Sequence, residues 1–315
     1  MARVTVRAVT VAAALIITIC FFGFLRLTRP TASSGRATVF VVTPTYDRLT
    51  RFATLVSLGQ ALTLAFAAAH TNILWLVIED ANELDPAVTQ LLSDFQIPHK
   101  YMACRASRQG EHRGIEQRNF ALDFIQKYNK AGVIYFADDD NTIQSALIET
   151  LATIPPSSFT IFPVGNLGYF GFEGPVIVDH VDGDEDEGVR ISHWCCDLCR
   201  RRWNIDMAGF AFHSSVLKGA PPPHIRFSHQ SETGFLETDM LSLIERTGAR
   251  FVLSKHLLET VHVWHDSPKQ SAVAAYYDAD WVTSAILARK PASSLQVVRG
   301  FASAEDNLPS ATWIA

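Results

Sequence analysis

Cysteine is scarce: the chain of 315 residues holds five, Cys20, Cys104, Cys195, Cys196 and Cys199. That is too few for a disulfide-built scaffold. An excess of positive charge is missing too. The formal net charge is −5, which excludes a nucleic-acid binder driven by bulk Lys and Arg, because such proteins need surplus cations to displace phosphate counterions. There is no internal repeat, no Asn-x-Ser/Thr sequon and no low-complexity tract beyond one short linker. Charged residues make up only 19% and apolar ones 48%, so the chain can bury a full core and is not intrinsically disordered. The length suits one large domain or two closely packed ones once any targeting segment is set aside.

The first stretch differs from the rest. Residues 8–25 (AVTVAAALIITICFFGFL) form an uncharged run of 18, just long enough to span a bilayer as a helix. Arg3 and Arg7 precede it, and Arg26 and Arg29 follow it. Charge on both sides leaves the positive-inside rule indecisive, while Arg3 and Arg7 are compatible with a cytoplasmic N-terminus. The alternative is a cleaved signal peptide. The run exceeds the usual apolar region of such a peptide, and Phe21, Phe22, Phe24 and Leu25 are poor neighbours for a cleavage site. The expectation is a tail at residues 1–7, an uncleaved anchor at 8–25 and a short stem at 26–37, with the bulk in a lumen or outside the cell. Within that stem, residues 28–37 (TRPTASSGRA) read as a linker without a core of its own.

Beyond the linker, apolar strands alternate with helical patterns. Residues 38–43 (TVFVVT) read as a buried strand stopped by Pro44, and 51–69 carry Leu55, Leu58, Leu62, Leu64 and Phe66 at helical spacing. Residues 73–78 predict a second strand, 86–95 a helix, 116–128 a helix and 132–136 a further strand. This β-α order, with strands apolar on both faces, predicts an α/β fold with a mostly parallel sheet flanked by helices. Ligands bind such sheets at the carboxyl ends of the strands. Polar groups stand there: Thr45 and Tyr46 after the first strand, Glu79 and Asp80 after the second, and Asp138, Asp139 and Asp140 after the later one.

The cluster FADDDN is the chemical centre. On an extended segment Asp138 and Asp140 project together while Asp139 turns aside, and the two repel each other unless a cation sits between them. Oxygen ligands of this kind suit Mg²⁺ or Mn²⁺, with phosphate oxygens completing the shell. A solvated acidic turn capping the helix near Ile143 is the plain alternative; the position straight after a buried VIYF strand favours the metal. Upstream, RGIEQRN supplies Arg113 and Arg118, whose guanidinium forks suit a diphosphate. Taken alone that pair reads as an ordinary helix start, and it becomes informative only beside FADDDN.

At these residues the chain resembles glycosyltransferase family 43, the β-1,3-glucuronosyltransferases of glycosaminoglycan linkers and glycoprotein glycans. The shared pieces, in order, are VVTPTYDR (41–48), WLVIEDA (75–81), RGIEQRN (113–119), VIYFADDDN (133–141), FPVG (162–165), FEGP (172–175), DMAGFA (206–211), GFLET (234–238) and VWH (263–265). They run from about residue 38 to 266, and nothing in the last forty-odd residues matches. The resemblance implies a GT-A fold with a donor-binding half at 38–165 and an acceptor-binding half at 166–315, Mn²⁺ as cofactor, inversion at the sugar, and type II Golgi topology with a luminal catalytic domain. It implies Pro44, Tyr46 and Asp80 on uracil and ribose, Arg113 and Arg118 at the uridine and diphosphate, and Asp138 and Asp139 on ribose and sugar hydroxyls. Asp140 would be the direct metal ligand and His265 would reach the phosphate. Glu173, Arg201 and Asp206 would contact the acceptor sugar, and Glu237 would be the catalytic base. The implied partners are UDP-glucuronate, a galactose-terminated glycan, the membrane through the N-terminal helix and a second copy of the chain, with no nucleic acid.

The chemistry is consistent with those roles. A sugar hydroxyl is too weak an acid to attack at neutral pH unless a carboxylate takes its proton, and a departing diphosphate needs a cation and arginines to carry its charge. By pattern alone, Glu237 and Asp239 equally suit helix-start acids ahead of a helix at 240–246. One departure bears on the donor: family members follow the WH pair with Thr and a basic residue, whereas Asp266 and Ser267 stand here and Lys269 is the nearest cation. Two stretches are discounted. Residues 182–188 (DGDEDEG) mimic a calcium loop but hold Glu187 at the glycine position and His193 at the closing one, so a solvated hairpin tip is expected. Residues 193–199 (HWCCDLC) offer zinc-type ligands without a second Cys pair, so a disulfide between two of Cys104, Cys195, Cys196 and Cys199 is expected instead.

Overall fold

A computed structural model describes residues 37–68, 71–106, 114–166, 171–178, 190–195, 201–219, 225–265 and 312–314. The proposed anchor at 8–25, Arg113, the acidic stretch 182–188, Cys196, Cys199 and Lys269 lie outside them. The described chain is mixed α/β. An eight-stranded sheet is built from β1 (Thr38–Thr45), β2 (Ile73–Glu79), β3 (His99–Ala103), β4 (Gly132–Phe136), β6 (Ser158–Ile161), β10 (Phe210–His213), β11 (Arg250–Ser254) and β13 (Thr312–Ile314), in the order β13-β11-β6-β10-β4-β1-β2-β3. Its pairs are parallel except around β10, which runs antiparallel to both β4 and β6. A second, five-stranded sheet has the order β5-β12-β7-β8-β9, from β5 (Asn141–Ile143), β7 (Val164–Asn166), β8 (Phe172–Val178), β9 (Arg190–Cys195) and β12 (Val263–His265). The strand periodicity near the N-terminus does not predict this second sheet.

The continuous apolar runs of β1 and β2 are buried on both faces because each face carries its own helices. Phe40, Val42, Leu74, Leu76 and Ile78 pack with Ile115, Leu122 and Ile125 of α3 (Ile115–Tyr128) and with Met240, Leu241 and Ile244 of α6 (Leu236–Arg246). The alternate residues Val39, Val41, Ile73, Trp75 and Val77 pack with Leu55, Leu58 and Leu62 of α1 (Arg51–Ala68), Val88 and Leu92 of α2 (Pro86–Asp94) and Leu147 and Ile148 of α4 (Ser145–Leu151). Each such side chain contributes about 1.5–3 kcal/mol by leaving water. Trp75 is fully buried, and its indole N–H donates to Thr43 Oγ1 at 3.0 Å, so no polar atom of the ring is stranded. A short helix α5 (Val216–Gly219) and α7 (Lys255–Glu259) complete the elements.

Three local expectations are corrected. Pro44 does not end β1: the strand continues to Thr45, with Pro44 opposite Ile78 of β2. Pairing with β4 has stopped at Val42, so the proline sits where one flank of the strand no longer needs an N–H donor. The helix expected from residue 240 starts at Leu236, which puts Glu237 and Asp239 inside its first turn. Cys104 is a half-buried free thiol, so it takes no part in the expected disulfide.

Candidate active site

The carboxyl ends of β1, β2 and β4 gather the acidic and basic side chains. Residues 138–141 are not extended. They form a turn closed by the Asn141 N–H donating to the Asp138 carbonyl at 2.9 Å and the Asp138 N–H donating to Asn141 Oδ1 at 2.7 Å. The turn sends its three carboxylates to three sets of partners, so the expected pairing of Asp138 with Asp140 on one side is replaced. Asp138 accepts from Arg118 Nη2 at 2.5 Å. Asp139, buried, accepts from Thr45 Oγ1 at 2.8 Å and Arg48 Nη2 at 2.6 Å. Asp140 lies 3.6 Å from both Arg48 Nη1 and His265 Nε2.

Burial dominates the Asp139 carboxyl and pushes it up to about 6, against the Thr45 hydroxyl and Arg48. Burial also works against the Asp140 carboxylate, but the hydrogen bond and charge of His265, with Arg48, outweigh it and hold Asp140 below its ordinary value. His265 is correspondingly raised to about 11 by Asp140 and Asp206, so it is an imidazolium whose Nδ1–H donates to Asp206 while Nε2 pairs with Asp140 at 3.6 Å. Its position comes from sheet pairing. β12 lies antiparallel to β5 with His265 opposite Asn141, and Gly165 of β7 leaves room for Trp264, whose ring lies 2.2 Å from where a Cβ would stand.

His265 Nδ1 reaches Asp206 Oδ2 at 3.2 Å. Asp206 is fixed by its other oxygen, which caps the 3₁₀ turn Met207–Gly209 through the Ala208 N–H at 2.9 Å. Beyond it, Arg201 donates to Glu173 Oε1 at 2.6 Å and to the Gly234 carbonyl at 2.9 Å. Burial raises the Glu173 carboxyl despite that arginine. Glu237 is partly buried in the first turn of α6, whereas Asp239 is exposed. Burial first, then the charge of Asp206, raise Glu237 to about 7 against the pull of Arg118 and Arg201. A carboxyl poised at that value is suited to take a proton near neutral pH.

The remaining site residues are held at the rim. Asp80 Oδ1 accepts from the Ala106 N–H at 2.8 Å, and its own N–H donates to the Thr45 carbonyl at 2.8 Å. Tyr46 is half exposed, with the Arg48 guanidinium 5.5 Å from its ring centre. Pro44 lines the same floor: a Cβ on Gly114, whose φ is +79°, would stand 3.4 Å from the Pro44 Cβ and 2.6 Å from Arg118 Nη1. Arg48 was legible only as part of VVTPTYDR, yet it spans Asp139 and Asp140. Arg51 is another unforeseen anchor, buried and paired with Glu79 at 2.6 Å and with Asp85, while Tyr101 donates to Glu79.

The donor set at the turn suits a hard cation. Asp140 Oδ1 is buried without a hydrogen-bond partner, an oxygen whose lone pairs a divalent ion would satisfy. Among the described residues no three His, Cys, Asp or Glu side chains converge on one point, so any such ion would be completed by ligand oxygens, as is usual for Mg²⁺-type sites.

Comparison with known proteins bears on this arrangement. The model of the family "Glycosyltransferase family 43" matches residues 62–268. The galactosylgalactosylxylosylprotein 3-beta-glucuronosyltransferase P of Drosophila melanogaster is 32% identical over 257 residues, 78% of this chain and 50% of that protein. The Homo sapiens galactosylgalactosylxylosylprotein 3-beta-glucuronosyltransferase 3 is 32% identical over 237 residues, 68% of this chain and 66% of that protein. The chain thus spans half the length of the first relative and about two thirds of the second. Among solved structures, S. aureus TarS 1-349 in complex with UDP-GlcNAc aligns with a TM-score of 0.45 and 14% identity over 80% of this chain and 66% of that one, a likeness too distant to carry an argument. The family match covers FADDDN, DMAGFA, GFLET and VWH together, and on that match the chain belongs to glycosyltransferase family 43.

Proposed function

We propose that this protein transfers glucuronic acid from UDP-glucuronate to the 3-hydroxyl of a terminal galactose, with inversion and with Mn²⁺, on a GT-A fold. The observation that carries the reading is the continuous polar line Arg48–Asp140–His265–Asp206, which runs from an acidic turn at the sheet's carboxyl ends to Asp206, whose charge acts in turn on Glu237, a carboxyl raised to about 7. Family membership and the names of the relatives support the sugar and the acceptor.

In this reading Arg118 holds the uridine and diphosphate end of the donor and Asp138 and Asp139 its ribose and sugar hydroxyls, with Asp80, Tyr46 and Pro44 at its base and ribose. Mn²⁺, held by Asp140 and donor oxygens, would supply charge stabilisation for the leaving diphosphate. His265, positively charged, faces the same phosphate. Arg201, Glu173 and Asp206 orient the acceptor galactose so that its 3-hydroxyl lies within reach of Glu237. Glu237 removes the hydroxyl proton as the oxygen attacks the anomeric carbon from the face opposite the diphosphate. One base and one stabilised leaving group give a single displacement, hence inversion.

The same reading assigns residues 8–25 as a type II signal anchor with the catalytic part in the Golgi lumen. Resistance of the full chain to carbonate extraction, and protection of its bulk from protease outside sealed vesicles, tests that assignment.

The test of function is a donor screen. The purified protein, a galactose-terminated acceptor and a panel of UDP-sugars are combined with Mn²⁺ or with excess chelator, and the product linkage is read by NMR. UDP-glucuronate as the preferred donor, a β-1,3 product and loss of turnover in chelator are the expected outcomes. Preferential use of UDP-xylose would overturn the donor assignment, a result to which Ser267, standing where family members carry a basic residue, gives specific reason for attention. Absence of turnover with every donor would favour a scaffold role in a glycan-synthesis complex, against which the retained Asp140 and Glu237 argue.

A further inference from the structure

Asn119, the last residue of RGIEQRN, has no role in the chemistry above, yet its amide makes a paired contact across 108 positions of sequence. Its Nδ2 donates to the Phe227 carbonyl at 3.0 Å, and its Oδ1 accepts from the Phe227 N–H at 2.9 Å. Two further contacts lie along the same stripe of α3. Glu116 meets His229 Nε2 at 3.0 Å, and Asp123 meets Arg226. Positions 116, 119 and 123 are spaced as neighbours on one helix face, so the segment from residue 226 to 229 is stitched along α3 at three points, with Asn119 in the middle.

Both ends of this stitch touch the reaction. Phe227 is 4% exposed; its ring packs edge-on against Phe136 at 5.1 Å and lies 5.9 Å from the Arg118 guanidinium. Arg118 is the side chain that pairs with Asp138. Downstream, the chain reaches α6 through two hydrogen-bonded turns, the Ser231 N–H to the Ser228 carbonyl at 3.3 Å and the Phe235 N–H to the Glu232 carbonyl at 2.9 Å. Glu237 follows one residue into that helix. Nine residues separate Phe227 from Glu237, and these two turns fold part of that span.

We propose that Asn119 is a positioning residue that couples the two halves of the reaction: by gripping the Phe227 backbone it seats that ring under Arg118 and sets where α6 presents Glu237. The inference rests on the reading of Arg118 as a donor ligand and Glu237 as the base. A shift of about 1 Å in a reacting group costs on the order of 10²-fold in rate, so a clamp at the root of the turns that lead into α6 has leverage.

Double-mutant cycles on the whole protein test it. Asn119→Ala should lower kcat by roughly 10- to 100-fold, and Phe227→Leu should raise the donor KM by roughly threefold to tenfold, the worth of a lost cation–π contact. In the Glu237→Gln background Asn119→Ala should change kcat by less than about twofold, and in the Arg118→Ala background Phe227→Leu should change the donor KM by less than about twofold. Full, additive effects in both backgrounds would overturn the proposal and leave Asn119 a merely structural residue. If Glu237→Gln by itself leaves kcat unchanged, the assignment of the base has failed instead. Asn119→Asp keeps the acceptor for the Phe227 N–H and loses the donor to its carbonyl, so it carries the same cycle with a smaller effect should the alanine variant not fold. A kcat within twofold of wild type for either folded variant also overturns the proposal.

Discussion

Two carboxylates of this site, Asp140 and Glu237, are both withdrawn from water and end with opposite electrostatics. Asp140 is held below its ordinary value, because His265 and Arg48 stand beside it and outweigh its burial. Glu237 is raised to about 7, because burial and the negative charge of Asp206 prevail over Arg118 and Arg201. For this pair the sign of the neighbouring charge separates the two outcomes, whereas at Asp139 and Glu173 burial prevails over an adjacent arginine. A carboxylate kept ionised can hold a cation, and one poised near neutrality can carry a proton. Asp206 links the two. It lends charge to His265 on one side, so stabilising the imidazolium that holds Asp140 down, and repels Glu237 on the other.

The comparison can be broken at the cation end first. Asp140→Asn removes the ionised oxygen and should reduce transfer by roughly 10³-fold or more, the several kcal/mol that a bound metal contributes to charge stabilisation. Circular dichroism should stay unchanged, and excess chelator should reproduce the loss in the wild type. Near-normal turnover in either case would remove the metal from the mechanism. At the proton end, Glu237→Gln preserves size and hydrogen bonding, and should lower kcat by roughly 10²–10⁴-fold with donor KM little changed. Asp239→Asn, exposed one turn-position away, is the control and should retain activity; the reverse pattern would move the base to Asp239.

The raised Glu237 carboxyl also has a pH signature. As a base it must be ionised, so turnover should rise with pH up to about 7 and level above it, and the Glu237→Gln variant should lose that limb. The effect on stability has the opposite sign. The folded value of about 7 lies above the ordinary 4.5, so the unfolded chain ionises first and stability falls as pH rises between those values. Glu237→Gln cannot ionise and should melt a few degrees above wild type at pH 8, with little difference at pH 4; equal melting at both pH values would show the carboxyl to be unshifted. The smallest effect sharpens the floor of the donor side. Gly114→Ala forces a Cβ at φ +79° and into Arg118 Nη1. It should cost about 1 kcal/mol of stability and raise the donor KM while leaving kcat nearly unchanged.

Three of the eight strands of the first sheet, β1, β2 and β4, were legible because they are buried on both faces and read as unbroken apolar runs. The strand His99–Ala103 was not, because it is the outer neighbour of β2 at the sheet edge and its residues His99, Lys100 and Tyr101 are only partly covered. The start of α6 was read four residues late, since Glu237 and Asp239 look like a solvated approach to a helix when they belong to its first turn. Of the site, the acids of FADDDN announce themselves by type and by their place after a buried strand, and the arginines of RGIEQRN become informative only beside them. Arg48 does not, because nothing in TYDR distinguishes a surface cation from one that grips two aspartates.

Local pattern thus determined β1, α1, β2, α2, α3 and β4, and that acids would crowd at the ends of those strands, because both follow from periodicity and from where a buried run must stop. Tertiary structure decided which acid is which. His265 reaches Asp140 through the pairing of β12 with β5, and Phe227 reaches Arg118 through contacts of residues 226–229 with α3 that span more than a hundred positions of sequence. Burial together with the charge a few ångströms away sets the chemistry of each carboxylate, and both are made by tertiary packing rather than by neighbours along the chain.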